Sequence, residues 1–393
     1  MSDTSKLPAL LSRLKTLFEI EDTPVVAVKR LAVVQTLKRK LWDLTKKCRK
    51  IQKEPHNTLT TFLFSGIIFC GDARTDPLLP CMRFLDKSMI KELTAKNKGR
   101  SVYSEQEAKN VCYALCDKSQ EGIKELKALH NQDTQNKSVS RTDANEFQFT
   151  LTYTDDVGIS NTVDISKFHH NRLQEMYDKH CDDADKQYFL RRLFCLVMRY
   201  ETLGGPMYQC SCTSDAFACM KSGFGVQYEC FASPFNRNAE VYWSAFVDTD
   251  GFFGSQGSFF TTVDLLQDKG GSFYANPPFV EDVMLLMKTK IETMLGWKVP
   301  VTFVVVIPFW EDEPCHQWMM DQTTSGRAKH RILAEGHQYI EGNQQKNTKQ
   351  SPIKHTSKFK ASLFLLQNEG GKLLWPDEND EKFSMIWDKF QIA

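Results

Sequence analysis

The feature that most constrains this chain is the change of pattern at Gly204-Gly205-Pro206. Before it, apolar residues recur at helical spacing through long segments. After it, short strand-like runs at 226–231, 243–247, 271–275, 299–307 and 361–367 alternate with helical stretches. Strands separated by helices pair side by side through crossovers, which predicts a doubly wound α/β sheet. The 393 residues are therefore read as two domains, a mostly helical 1–205 and an α/β domain over 206–393.

In the first half, 8–18 and 25–52 read as helices. The second carries an apolar stripe of Leu31, Val34, Leu37, Leu41 and Leu44, with Lys29, Arg30, Lys38, Arg39, Lys40, Lys46, Lys47, Arg49 and Lys50 on its other faces. Such charges read either as a solvated face or as a surface for RNA phosphates. The run 58–69 suits helix or strand. Segments 82–93, 105–130, 169–181 and 185–200 read as helices, 131–146 as a polar loop, and 147–153 with 161–165 as a β-hairpin turning through Asp155–Gly158. Net charge is only +1, so nucleic-acid binding must come from local basic patches. The twelve cysteines, with no apolar signal segment ahead of them, predict reduced thiols in an intracellular chain. No run approaches the ~20 apolar residues of a membrane span.

The chemistry gathers in the second half. Asn276-Pro277-Pro278-Phe279 follows the run 271–275 and precedes a helical pattern, so it sits at a strand's C-terminal end, where ligands bind in open α/β sheets. Two prolines stiffen the loop and remove two backbone donors, and Asn276 before them is held extended. The Asn276 amide oxygen and the Pro277 carbonyl could then accept both hydrogens of one exocyclic amino group, with Phe279 stacked on its ring. The plain alternative is a Pro-Pro turn with Asn276 as a polar cap. Upstream, the run 226–231 ends in Phe231-Ala232-Ser233-Pro234-Phe235-Asn236, where Ala232 and Ser233 take the places of glycines. That turn does not suit a dinucleotide, but it suits a methionine-derived cofactor with no pyrophosphate. Asp248 and Asp250 follow 243–247 as candidates for a ribose diol, or as an Asp-x-Asp-Gly turn; a calcium loop would need later acidic ligands that are absent. This order of parts suits an amino methyltransferase.

Other features receive structural readings. Cys112, Cys116, Cys210, Cys212, Cys219 and Cys230 form no paired CxxC units, so no metal is expected. His169, His170 and His180 read as surface or helix-capping residues. Trp42, Trp243, Trp310, Trp318 and Trp375 are candidate aromatics for stacking on a base, with a structural role as the plain alternative. Lys329, His330, Arg331, Lys354, His355, Lys358 and Lys360 supply local positive charge, with Lys329, His330, Lys354, Lys358 and Lys360 assigned to RNA phosphates.

Residues 229–234, 246–255 and 271–279, with 303–308, 329–339 and 363–368, resemble the catalytic core of the phosphorylated-CTD-interacting factor family. The resemblance is clearest over 223–370. It implies a Rossmann-like fold preceded by a helical domain and an enzyme using S-adenosyl-L-methionine. The implied reaction methylates N6 of the adenosine beside the 7-methylguanosine cap of mRNA. On that reading Asn276, Pro277, Pro278 and Phe279 are catalytic, and Phe231, Ala232, Ser233, Pro234, Asn236, Asp248, Asp250 and Asn276 hold the cofactor. Capped mRNA and RNA polymerase II or the capping machinery are the partners implied, for a monomer in the nucleus or, alternatively, the cytoplasm. One departure stands out: no paired-tryptophan segment precedes the core, so no WW-type module is expected. The Asn-Pro-Pro-Phe loop by itself also suits adenine in other RNA or DNA, or a glutamine amide. A silent RNA- or polymerase-binding module on the same fold is the non-enzymatic alternative.

Overall fold

The computed structural model describes residues 20, 22–71, 75–97, 100–130, 138–181, 187–342, 344–349 and 352–391. The chain divides into two compact units that part between Gly205 and Pro206. The helix expected at 8–18 lies outside the described residues.

In the first unit, α1 (Pro24–Leu44) starts with Pro24 in its first turn and Thr23 as N-cap, accepting from the Val26 N–H. It stops where the Thr45 hydroxyl donates to the Leu41 carbonyl at 2.7 Å. The helix expected to run to 52 therefore breaks and restarts as α2 (Arg49–Lys53). The ambiguous apolar run is helical, in α3 (Pro55–Cys70). The helix expected over 82–93 shrinks to α4 (Lys87–Thr94), because the Asp86 carboxylate accepts the Met89 N–H at 2.7 Å and fixes the start. After α5 (Glu105–His130) the polar loop reading of 131–146 needs correction. β1 (Val139–Asp143) is an edge strand with only Val139 buried, which is why it reads as a loop. It pairs antiparallel with β2 (Gln148–Thr154), and β2 with β3 (Ser160–Ser166), through a turn where Gly158 takes φ 82°. α6 (Lys167–His180) and α7 (Phe189–Leu203) complete the unit. His169 and His170 are buried rather than superficial, and Ser166 caps α6 by accepting the His169 N–H. Arg30 leaves the basic face of α1: it is buried against Asp22 and Asp76, and Arg199 joins Asp22 at 3.0 Å.

The second unit is built on one six-stranded sheet. Its strands are β4 (Tyr228–Glu229), β5 (Val241–Tyr242), β6 (Gly271–Ala275), β7 (Val301–Pro308), β8 (Ala328–Leu333) and β11 (Ala361–Gln367). A separate pair, β9 (Gln338–Ile340) and β10 (Lys354–Thr356), packs as an antiparallel hairpin. The order across the sheet is β8-β11-β7-β6-β4-β5. β5, β4, β6 and β7 are mutually parallel, and β11 opposes both of its neighbours, so five strands share one direction.

Alternate strand residues feed opposite faces, as the two-residue period requires. Phe273, Phe303, Val305 and Phe364 pack with Met284, Met287 and Ile291 of α10 (Glu281–Leu295) and Met319 of α11 (Pro314–Thr324). Tyr274, Val304, Val306 and Leu365 pack on the other face with Met220 of α8 (Ser214–Phe224) and Ile386 of α12 (Glu381–Gln391). Fully burying each such side chain is worth roughly 1.5–3 kcal/mol, so a strand buried on both faces, like β7 or β11, reads as a continuous apolar run. Two expected strands need correction. The run 226–231 shrinks to two residues, and 243–247 is not a strand: pairing ends at Tyr242 and the chain enters a helical turn, α9 (Val247–Asp250). β8, β9 and β10 are short or only partly buried, and carry no continuous apolar run that marks them as strands in the sequence.

Gly270 and Gly271 set the entry to β6. Gly270 has φ +63° and a Cβ there would lie 2.2 Å from the Pro300 carbonyl oxygen, while the Gly271 N–H donates to that same oxygen at 2.9 Å.

Candidate active site

β4 leads outward to β5, and the chain then returns to β6 on the other side of β4 and continues to β7. The order therefore reverses between β4 and β6, and in such sheets the crevice at the carboxyl ends of those two strands takes the ligand. Phe231–Asn236 leaves the end of β4 and Asn276–Phe279 leaves the end of β6. The two stretches singled out in the sequence thus flank one switch point.

Asn276 is half-buried. Its Nδ2 donates to the Cys210 carbonyl at 3.2 Å. A carbonyl only accepts, so the atom facing Cys210 must be the amide nitrogen, and Oδ1 points the other way. That Oδ1 is buried and receives no hydrogen bond among the described residues. Such an orphan acceptor costs about 1–3 kcal/mol, unless a ligand supplies the donor. Behind it, the Val280 N–H occupies the Pro278 carbonyl at 2.7 Å. The same described residues supply no donor to the Pro277 carbonyl.

What holds Cys210 lies far away in sequence. Ser211 exchanges both backbone hydrogen bonds with Ile340 of β9, at 3.1 and 2.8 Å, so the 210–212 segment extends the β9–β10 hairpin. Residues that flank this hairpin support the other end of the loop. Phe279 meets Phe359 edge-to-face at 5.8 Å, and Phe359 meets His337 at 6.1 Å. The His337 Nδ1 donates to the Ala334 carbonyl at 2.7 Å, and burial holds its pKa below the usual value, so the ring is neutral. Cys210, Phe359 and His337 escaped the sequence reading as supports, since each acts through contacts with residues distant in the chain.

The turn after β4 is closed upon itself. The Ala232 N–H donates to the Trp243 carbonyl at 2.9 Å and the Ser233 N–H to Asn236 Oδ1 at 2.7 Å. The Phe235 N–H bonds Ser233 Oγ, and the Asn236 and Arg237 N–H groups bond the Ser233 carbonyl. No N–H in that set remains to cradle a phosphate, so the turn disfavours a pyrophosphate cofactor and fits one without it. Phe231 contributes an apolar wall with Phe259 and Phe260, at 5.4 and 5.6 Å. Pro234 is buried inside the turn.

Glu229 clamps this turn from below. Its carboxylate accepts the Asn238 and Ala239 N–H groups at 2.7 and 3.0 Å, tying the returning chain to β4. Burial pushes its pKa up to about 7, against the lowering by those two backbone donors.

The acidic candidates need correction. Asp248 and Asp250 sit on the α9 turn rather than at a strand end. Asp248 is 9% exposed, whereas Asp250 is fully buried and its carboxylate accepts the Thr249 hydroxyl at 3.0 Å. Asp250 therefore faces the interior, and Asp248 is the better placed of the two for a ligand hydroxyl.

The proposed phosphate contacts divide. Lys329 lies 3.1 Å from both Asp377 and Asp380, so its charge is offset. His330 stacks on Phe364 at 4.5 Å and contacts Ser362 Oγ at 3.1 Å. Burial, then His316, push its pKa down to about 4, which leaves it uncharged at neutral pH. Neither residue presents free positive charge to an RNA. Lys354, Lys358 and Lys360 are exposed and have no ion-pair partner among the described residues. Burial pushes the Cys210 thiol up to about 12 and the Cys212 thiol well above the ordinary value.

Residues 172–342, spanning both loops of the switch point, match the family described as "Phosphorylated CTD interacting factor 1 WW domain". The resemblance read from the sequence is borne out there. The matched residues hold the parallel strands of the sheet and α8 to α11. The human protein named mRNA (2'-O-methyladenosine-N(6)-)-methyltransferase is 34% identical over 222 residues, covering 54% of this chain and 31% of its own length. The mouse protein of the same name matches to the same extent. The chain thus spans about a third of the length of the curated relatives it matches. No helix among the described residues is long and apolar enough to cross a membrane.

Proposed function

We propose that the second unit is a Rossmann-like methyltransferase that uses S-adenosyl-L-methionine to methylate N6 of the adenosine beside the mRNA cap. The observation that carries this is the buried Asn276 Oδ1, whose amide is fixed by Cys210 at a topological switch point and which receives no hydrogen bond among the described residues. An adenine N6 amino group has two hydrogens. Asn276 Oδ1 and the Pro277 carbonyl both lack a donor among the described residues, and Phe279 is a half-buried aromatic in the same loop. The names of the human and mouse relatives support adenosine N6 beside a 2'-O-methylated cap nucleotide as the target.

The cofactor would supply an electrophilic methyl group on a sulfonium. This chain's residues do the rest by orientation. The two acceptors hold both N6 hydrogens, so the nitrogen lone pair is turned away from them toward the crevice. Phe279, braced by Phe359, holds the ring plane. Held geometry of this kind supplies much of the barrier reduction in a bimolecular transfer. No general base is required before attack, since the nitrogen sheds a proton after alkylation. Phe231, Ala232, Ser233, Pro234 and Asn236 form the wall that excludes water, with Asp248 the candidate for the ribose hydroxyls.

The test is incubation of the full chain with labelled cofactor and m7G-capped RNA beginning with A or G, followed by nucleoside analysis. Label in N6-methylated adenosine from the A-initiated capped RNA supports the reading. Equal labelling of uncapped RNA overturns the cap requirement, and no labelling by a folded, cofactor-binding protein overturns the reaction.

A further inference from the structure

We propose that the outer face of α1 is a binding track for single-stranded RNA, with Trp42 as a stacking platform between cations. This surface lies in the first unit, outside residues 172–342. It rests on the reading of the substrate as RNA and extends it to the body of the strand. Gln35, Lys38, Arg39 and Trp42 recur at i, i+3, i+4 and i+7, which places them on one face of the helix. The opposite face, with Val34, Leu37 and Leu41, is buried. Gln35, Lys38, Arg39, Trp42 and Asp43 line a surface recess of about 650 Å³. Trp42 is 44% exposed there, a large indole left open beside two cations.

Only part of the positive charge on α1 and the segment that follows it is paired within the protein. Lys46 pairs with Asp43 at 3.1 Å and Lys50 with Glu92 at 3.0 Å. Lys38, Arg39, Lys40, Lys47, Arg49 and Lys53 have no ion-pair partner among the described residues. The Lys38 ammonium instead contacts His56 Nε2, and burial, then the Lys38 charge, lower the His56 pKa. The His56 imidazole is therefore neutral and leaves the positive charge of Lys38 uncancelled. Solvated helix faces intersperse both signs; the whole stretch from 24 to 53, through α1 and α2, carries a single carboxylate, Asp43. A base on the indole with phosphates on the flanking cations is the arrangement used for sequence-tolerant single-strand binding. A phosphorylated acidic peptide would use the cations but would leave Trp42 without a partner, so RNA is favoured.

The experiment is fluorescence anisotropy of the full chain with a labelled, uncapped RNA of about 20 nucleotides and no cofactor, across a salt series. It reads binding alone, so failure of the methylation reading would not mimic failure here. Trp42→Ala is expected to weaken binding roughly five- to hundred-fold, with Trp42→Phe restoring most of it. Lys38→Glu with Arg39→Glu is expected to lower the slope of log affinity against log salt by about 1.4. Lys124→Glu, on the exposed face of α5, is the control for net charge and should change affinity less than Arg39→Glu. Wild-type affinity in both Trp42→Ala and the double charge variant would overturn the proposal. So would tighter binding of a phosphorylated peptide that is indifferent to Trp42→Ala.

Discussion

Glu229→Gln is a sharp test of how the β4 turn is built. The Glu229 carboxyl is fully buried and its pKa rises from the ordinary 4.5 to about 7. An acid whose pKa is raised on folding favours the folded state below the unfolded pKa and loses that contribution as pH climbs through the folded one. The cost therefore develops between pH 4.5 and 7 and stays constant above. Two and a half units at 1.36 kcal/mol each is about 3 kcal/mol. Glutamine keeps the shape and an acceptor for the Asn238 and Ala239 N–H groups but cannot ionise. The variant should match wild type near pH 4.5 and exceed it by up to about 3 kcal/mol at pH 8. Urea unfolding followed by hydrogen exchange at the amides of β4 and β6 reads the second unit separately from the first. Identical pH dependence in variant and wild type would show that Glu229 is not the titrating clamp.

Two further outcomes follow from the same geometry. Gly270→Ala places a methyl group 2.2 Å from the Pro300 carbonyl in a left-handed backbone, so it should destabilise the second unit by roughly 1–3 kcal/mol in urea unfolding. Phe359→Ala removes the edge-to-face support of Phe279. It should leave cofactor affinity unchanged in calorimetry while raising KM for capped RNA, and a variant with wild-type KM would refute a positioning role for Phe359.

How far the chain could be read from its residues depended on whether each signal is local. The run 361–367 coincides with β11 because a strand buried on both faces is a continuous apolar run. The Asn276–Phe279 loop falls at the end of β6 because glycines precede it and a helix follows at once. Trp243-Ser-Ala-Phe-Val247 misleads: aromatic and β-branched residues suggest a strand, yet pairing ends at Tyr242 and a helical turn that buries Asp250 begins at Val247. β1 was hidden because an edge strand has little apolar pattern to show. The anchor of Asn276 lies 66 residues away in Cys210, and no local spacing carries such a contact. Lys329 and His330 looked cationic until Asp377, Asp380 and burial against Phe364 were seen beside them. The orphaned oxygen of Asn276 is likewise visible only once every neighbour is in place.

The most direct test of the account is the Asn276→Ala variant assayed with labelled S-adenosyl-L-methionine and m7G-capped RNA beginning with adenosine. Loss of the Oδ1 acceptor should lower the rate roughly 100-fold or more, while calorimetry still shows cofactor binding and the melting curve stays near wild type. Methyl transfer at the wild-type rate in that folded variant would contradict the role given to the Asn276 oxygen, and with it the proposed mechanism.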